Sequence, residues 1–423
     1  VLLLVGSGDN GGDALYAGAR LAGRGAAVEA LLVSGTAHQD GLAAFRDSGG
    51  RIVTAVPSRL DLVLDGITGI GGRGALRPEA ARLAAAAALT GATVVAVDLP
   101  SGVDADTGSV SGEAVLADLT VTFGCYKPGL LVGAGAARSG LVELVDIGLA
   151  PYLPAPVFAA PELADVAGWW RSPVSGDDKY SRGVVGIVTG SGAYPGAAVL
   201  STGSALHGPI GMVRYAGPAA PAVRAAHPEV VVTETVAEAG RVQAWAVGSG
   251  LGTSAEAAEV VRVVLATDLP VLVDADAITV LAEHPDWIRN RTAPTLLTPH
   301  DREFARLFGP VGEDRLGSAQ DAAARFGVTV LLKGDRTVVA APDGRAYLNS
   351  TGSPALATAG SGDVLTGLGG SLLASGLPAL EAGSAAAFAH GLAGRLAAED
   401  GPVSASGVLA ALRPAIKRLK SGT

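Results

Sequence analysis

The sequence predicts an α/β protein made of two successive domains, the first of them a doubly wound, mostly parallel sheet. Three observations carry this expectation. Short apolar runs alternate with alanine-rich stretches through residues 1–150, and a proline-rich break follows. The alternation then resumes over roughly 250 residues, a normal size for a further domain.

In order along the first part, "VLLLVG", "AVEALLV", "LDLVLDGI", "ATVVAVDLP", "LTVTFG" and "LVELVDIG" read as strands buried on both faces. Between them "DALYAGARLAGRG" and "RPEAARLAAAAALTG" have helical composition and each closes on glycine. Such βα alternation implies a parallel sheet with ligands at the C-terminal strand ends. "GLAPYLPAPVFAAPELADVAGWWRSP" carries four prolines from Pro151 to Pro161, so residues 151–172 are expected to be a linker. The second part, 173–423, shows "GVVGIVTGS", "AWAVGSG", "LPVLVDADA", "TLLTPH", "VTVLLKG" and "TVVAAPDG" as further strands. No short repeat is visible, which argues against a solenoid.

Composition narrows the function. An apolar fraction of 49% with 60 glycines suits packed α/β units rather than disorder. A net charge of −9 without a long Lys/Arg run argues against a nucleic-acid partner. Cys125 is the only cysteine, so neither an intrachain disulfide nor a cysteine-built metal cluster can form. No apolar span is long enough for a membrane helix and no charged-then-apolar leader opens the chain. A soluble, cytoplasmic protein with no membrane partner is expected. "VLLLVG" places residue 1 inside a strand with no initiator Met, so earlier residues are expected in the natural protein.

"VGSGDNGGDAL", Val5–Leu15, follows the first strand and leads into the first helix. Its glycines permit close backbone approach, and N–H groups at a helix start can cradle an anion; a tight structural turn is the alternative. Asn10 and Asp13 can hold hydroxyls, a cation or a helix cap. Two more strand ends would share that rim: "LDGITGIGGRGAL" presents Asp65 and Arg73, and "VAVDLPSGVDADTG" presents Asp98, Ser101, Asp104 and Asp106. Burial at a strand end would raise Asp98 into the range of a general base. Asp104 and Asp106 read as a solvated turn.

Here "DNGGDAL", "LDGITGIGGRG", "AVDLPSGVDADTG" and "TFGCYKPGLL" resemble the NAD(P)HX epimerase domain, a Rossmann-like domain that interconverts the R and S epimers of hydrated NAD(P)H. The resemblance implies that Asp9, Asn10, Gly11, Gly12 and Asp13, together with Gly69, Ile70, Gly71, Gly72, Arg73, Gly74 and Ala75, line the hydrated nucleotide. It also implies Asp98 at the nicotinamide end and K⁺ held by Asn10, Asp65 and Ser101. The family motif opens with two asparagines, whereas this chain has Asp9 first. The family also carries an N-terminal helical segment not found here.

In the second part, "TGSGAYPGAAVLS" and "VGSGLGTS" offer glycine turns, "LVDADAITVLA" carries Asp274 and Asp276, and "LTPHDREFARL" has His300 entering a helix. Taken singly, His300 reads as a helix start or a core residue, Lys333 as a surface charge, Asp276 as a cap, and Asp363 as either a cap or a base. Together they suggest phosphoryl transfer. The turn in "ATAGSGDVLTG" can deliver N–H groups to a phosphate, and Asp363 beside it can take a proton from an attacking hydroxyl.

This set resembles the ribokinase-like fold, and the order from "YPGAAVLS" to "NSTGSPALATAGSGDVLTG" is similar to the ADP/ATP-dependent NAD(P)HX dehydratase. The resemblance implies that Ala197, Gly250, His300 and Asp363 contact the hydrated dinucleotide. Lys333, Gly334, Asp335, Arg336, Thr337 and Gly362 would hold the adenine nucleotide, and "HDRE" and "KGDRT" depart from the commoner "HPGE" and "KGAGT". The expectation is a bifunctional lyase and isomerase acting on NADHX and NADPHX, using ADP rather than ATP, with Mg²⁺ on the phosphates and a homo-oligomeric assembly. The rival readings are a ribokinase-like kinase for a hydroxymethylpyrimidine or sugar, and a non-catalytic nucleotide-sensing scaffold.

Overall fold

The computed structural model describes residues 1–289 and 291–422. The chain separates into two compact units, Val1–Pro156 and Val157–Thr423.

In the first unit β1 (Leu2–Val5), α1 (Asp9–Gly23), β2 (Glu29–Leu32), α2 (Gln39–Asp47), β3 (Arg51–Val53), β4 (Leu62–Gly66), α3 (Pro78–Ala88), β5 (Thr93–Val97), β6 (Leu119–Phe123), α4 (Gly133–Arg138) and β7 (Leu141–Val145) follow in turn. Every strand pairing is parallel, in the order β3-β2-β1-β4-β5-β6-β7. The continuous apolar run of β1 serves both faces: Leu2 and Leu4 join Leu83 and Ala87 in one core, while Leu3 and Val5 join Leu15 and Phe45 in the other. The strand order reverses between β1 and β4, which opens a ligand crevice at their C-terminal ends.

The second unit holds β8 (Phe158–Ala159), α5 (Leu163–Trp169), β9 (Val184–Val188), α6 (Pro195–Ala205), β10 (Met212–Ala216), α7 (Ala220–Ala226), β11 (Val231–Thr233), β12 (Ala244–Val247) and α8 (Ala255–Leu265). Then come β13 (Val271–Val273), α9 (Asp276–Glu283), α10 (Asp286–Arg289), β14 (Thr295–Leu297), α11 (Asp301–Phe308), α12 (Arg315–Phe326), β15 (Thr329–Leu332), β16 (Val338–Ala340) and β17 (Ala346–Leu348). α13 (Ser361–Ala374), α14 (Ala379–Glu399) and α15 (Ala405–Ser421) close it. The sheet runs β11-β10-β9-β12-β13-β14-β15-β16-β17-β8, parallel as far as β15 and antiparallel at β15/β16 and β16/β17. α13 is buried from Val364 to Ala374, so its glycines and small residues meet the sheet directly.

Three expectations are corrected here. The segment 151–172 is not all linker: β8 pairs with β17, and α5 buries Val166 and Trp170 in the core of the second unit. "LVELVDIG" is not buried on both faces. β7 pairs only with β6, so it is an edge strand, and Leu141 is 72% exposed. β3, β10, β11 and β17 join the sheets without having been read as strands; β3, β11 and β17 have three residues each, and β3 is largely exposed. Among the described residues no helix is long and apolar enough to cross a membrane.

Candidate active sites

At the first crevice the backbone of β1 and that of the β4 loop nearly touch. A Cβ on Gly6 would lie 1.9 Å from the Ile67 carbonyl oxygen, so only glycine fits. α1 starts at Asp9 behind Gly8 with no side chain capping its first turn, which leaves those N–H groups to an anion. Gly11 and Gly12 are buried, while Asp9 and Asp13 face solvent. Although exposed, Asp13 is partly desolvated, which raises its pKa, and the neighbouring charges of Asp98 and Asp9 add to the shift, so the three carboxylates share one field. In the Gly69–Ala75 loop, Gly69 and Gly72 are half-buried; Ile70, Gly71, Arg73, Gly74 and Ala75 are exposed.

Asp65 ends β4 fully buried. Its Oδ1 accepts from Ser101 Oγ at 2.7 Å and Ile67 N at 3.2 Å, and its Oδ2 accepts from Ser101 N at 2.8 Å. Burial lifts its pKa to about 6 against these hydrogen bonds. Beside the same loop Asn10 keeps Nδ2 buried without a partner, and a Cβ on Gly69 would come within 3.0 Å of Asn10 Oδ1. Asn10 therefore packs against Gly69, while Asp65 and Ser101 are joined directly.

Asp98 follows β5 in the left-handed region, at φ 68. Its Oδ1 accepts from Lys127 Nζ at 2.5 Å and Thr122 Oγ1 at 3.1 Å. Asp104 forms the turn expected of it, accepting at Oδ1 from Asp106 N, Thr107 N and Thr107 Oγ1.

The second unit gathers its polar residues where the strand order reverses between β9 and β12 and along the strands beyond. Gly190 N donates to Ser249 O at 2.7 Å. A Cβ on Gly250, at φ 69, would lie 2.8 Å from Ala197 Cβ, so Ala197 and Gly250 adjoin. Asp274, just past β13, is the hub. Its Oδ1 accepts from Lys333 Nζ and Thr298 Oγ1, both at 2.8 Å. Its Oδ2 accepts from Ser249 Oγ at 2.9 Å and Thr366 Oγ1 at 2.8 Å. Burial works to raise Asp274, but Lys333 and the hydroxyls outweigh it and its pKa falls. Lys333 shows the converse: burial works to lower it, and Asp274 and Glu303 hold it raised. It is a buried cation rather than a surface charge.

Beside this pair α13 opens at Gly360, φ 87, with Asp363 in its first turn. A Cβ on Gly362 would stand 3.8 Å from Lys333 Nζ and 4.0 Å from Asp274 Oδ2, filling the space in front of them. Asp363 is half-buried, and its pKa rises to about 6 through burial and then the negative charge of Asp274; Ser249 and Lys333 pull against the rise. A carboxylate so placed can accept a proton near neutral pH.

His300 caps α11: its Nδ1 accepts from Arg302 N and Glu303 N, while Glu303 accepts from His300 N, closing a capping box. It also lines a cavity of 540 Å³ shared with Lys333, Gly334, Asp335, Thr337 and Gly362. Arg336 turns away, donating to Ser350 O at 3.2 Å. Asp276 opens α9 and does not cap it, since that helix starts behind Ala275 with no side-chain cap; it accepts from Gly252 N at 2.8 Å and so ties the helix start to the loop after β12.

Sequence reasoning had noted Asp274 without giving it a role, had read Glu303 only as suiting the dipole of its helix, and missed Lys127, Ser249, Thr298 and Thr366. Backbone strain marks both centres. Among the described residues, the non-glycine residues at positive φ are Asp98 and Ala275, one at each.

Both halves of the chain match known proteins. A family model described as NAD(P)H-hydrate dehydratase matches residues 185–412, and one described as YjeF-related protein N-terminus matches residues 1–129. A bifunctional NAD(P)H-hydrate repair enzyme of Mycobacterium leprae is 54% identical over 377 residues, spanning 89% of this chain and 78% of that protein. One of Corynebacterium glutamicum is 39% identical, spanning 88% and 78%. Among solved structures, the ADP/ATP-dependent NAD(P)H-hydrate dehydratase of Bacillus subtilis, co-crystallised with ATP and Mg²⁺, is 28% identical with a TM-score of 0.54, covering 61% of this chain and 97% of its own. A ribokinase-like superfamily protein of Enterococcus faecalis is 26% identical with a TM-score of 0.57, covering 63% and 98%. With both halves matched in one order and over most of its length, the chain belongs to the family of bifunctional NAD(P)H-hydrate repair enzymes.

Proposed function

We propose that the chain repairs hydrated NADH and NADPH in two steps: the first unit interconverts the R and S epimers, and the second dehydrates the S epimer at the expense of ADP or ATP. The observation that carries the dehydration is Asp363, its pKa about 6, set beside Gly362 in front of the Lys333–Asp274 pair. Hydroxide leaves poorly. Asp363 takes the proton of the C6 hydroxyl as its oxygen bonds to the terminal phosphorus of the nucleotide, and the bond from that phosphorus to the remaining nucleotide breaks. The C6–O bond then breaks with its electron pair leaving on phosphate, a C5 proton departs, and the ring double bond returns. Among the described residues no cluster of three His, Cys, Asp or Glu side chains could hold a metal, so Mg²⁺ fits as a counterion riding on the phosphates, where it would neutralise charge. The favoured nucleotide in this reading is ADP.

The test is incubation of each NADHX and NADPHX epimer with ADP or ATP while the reduced cofactor is followed by absorbance. Recovery of NAD(P)H with release of phosphate is the expected result; a stable phosphorylated product instead would identify a kinase. The acid limb of dehydratase kcat/KM is expected to bend near pH 6, since protonated Asp363 cannot accept the substrate proton.

In the first unit Asp98, paired with Lys127, is the acid–base group, and Asn10, Asp65 and Ser101 would hold K⁺. The donors fit a hard monovalent cation. Asp65 is fully buried without a salt-bridge partner among the described residues, and every candidate ligand offers oxygen. Moving a buried carboxyl from 3.8 to about 6 corresponds to about 3 kcal/mol. The folded state holds its proton more tightly than the unfolded chain, so this stability is present at low pH and is lost as pH rises through about 6. Above that pH, K⁺ is expected to raise the melting temperature of the wild type, and Asp65→Asn is expected to melt independently of K⁺. Equal melting with K⁺ and with tetramethylammonium would remove the cation from this reading.

A further inference from the structure

His390 sits on α14 and is 7% exposed, yet its Nε2 has no hydrogen-bond partner. Among the described residues it is the buried orphan that lines the 540 Å³ cavity holding Lys333 and Gly362. Its polar neighbour Asn349 is spent on the fold, donating to Ala387 O and accepting from Thr351 N and Oγ1. Leaving such a group unpaired costs about 1–3 kcal/mol, and native proteins keep one when something else completes it.

We propose that His390 is a nucleotide-binding residue whose Nε2 hydrogen-bonds the nucleoside part, rather than the phosphates, of the nucleotide in this cavity. The inference rests on the reading of the cavity as the nucleotide site. Burial outweighs a hydrogen bond between the ring and the Ser361 backbone and, with the nearby Lys333 charge adding to it, holds the ring's pKa at about 4, so at neutral pH it carries no charge to offer a phosphate. A neutral imidazole suits a base edge or a ribose hydroxyl. The walls beside it, Ala387, Leu365 and Leu356, are apolar, as an aromatic base requires.

The test is calorimetric binding of ADP, ATP and inorganic pyrophosphate to the full chain carrying His390→Leu or His390→Gln. In His390→Leu the Kd for ADP and for ATP is expected to rise about tenfold, the size of one buried hydrogen bond. Pyrophosphate affinity should stay within about twofold. The nucleotide-free variant should melt no lower than wild type, because an unpaired polar group has been replaced by an apolar one. His390→Gln, which keeps a hydrogen-bonding group, should recover most of the affinity. Unchanged ADP affinity in His390→Leu, a parallel loss of pyrophosphate affinity, or a lower melting temperature without nucleotide would each overturn the inference. Failure of the wild type to bind either nucleotide would instead remove the reading of the cavity on which it depends.

Discussion

Asp363→Asn is expected to fold as the wild type does and to lose dehydratase turnover by a factor of about 10²–10⁴, the contribution of a positioned base. Ser249 and Lys333 favour the charge, but less than its surroundings disfavour it. Gly360 caps α13 without a side-chain bond, and burial together with Asp274 already disfavours the anion. Removing it relieves a crowded negative field, so melting should stay level or rise. Because the amide cannot accept the C6 hydroxyl proton, kcat and kcat/KM should fall together while substrate binding changes little. Epimerase activity in the same protein serves as the internal control, since the first unit has its own sheet and core. Turnover within threefold of wild type would leave Asp363 as no more than a helix-start residue.

The second large effect is expected from Asp274→Ala. It takes the nearer carboxylate from Lys333, leaving Glu303 at 3.4 Å, and removes one acceptor each from the hydroxyls of Ser249, Thr298 and Thr366. Breaking a buried pair from one side costs about 3–5 kcal/mol. In urea the transition of the larger unit should move to markedly lower concentration while that of the smaller unit stays put. Asp274→Asn, which keeps one of the two acceptor oxygens, should recover part of the loss. It should also shift the acid limb of the dehydratase downward, because the charge of Asp274 helps to raise Asp363. A pH profile unmoved in Asp274→Asn would refute that coupling.

Both βα alternations were legible because parallel strands buried on two faces must be continuous apolar runs, as β1, β9 and β15 are. Where a strand lies at an edge the rule fails. β7 has the same composition but only one neighbour, and β8 is two residues set between prolines. In the site, motif residues such as Gly362 and Asp363 stood out because glycine beside a carboxylate is locally unusual. Asp274 and Lys333 meet across 59 residues, and Lys127 reaches Asp98 across 29, so their pairing had no local trace. His390 lies inside an alanine-rich helix and reads there as packing. Topology, rather than any nearby signal, makes these groups neighbours.

The pairing of β8 with β17 bears on how the chain can be divided for expression. A truncation starting at Pro173 would remove that strand together with α5, leave the N–H and C=O groups of β17 unpaired, and bare the apolar surface that Val166 and Trp170 cover. Bare edges of this kind template aggregation. A dehydratase fragment begun at Val157 keeps the edge sealed, and should stay soluble where the shorter one precipitates.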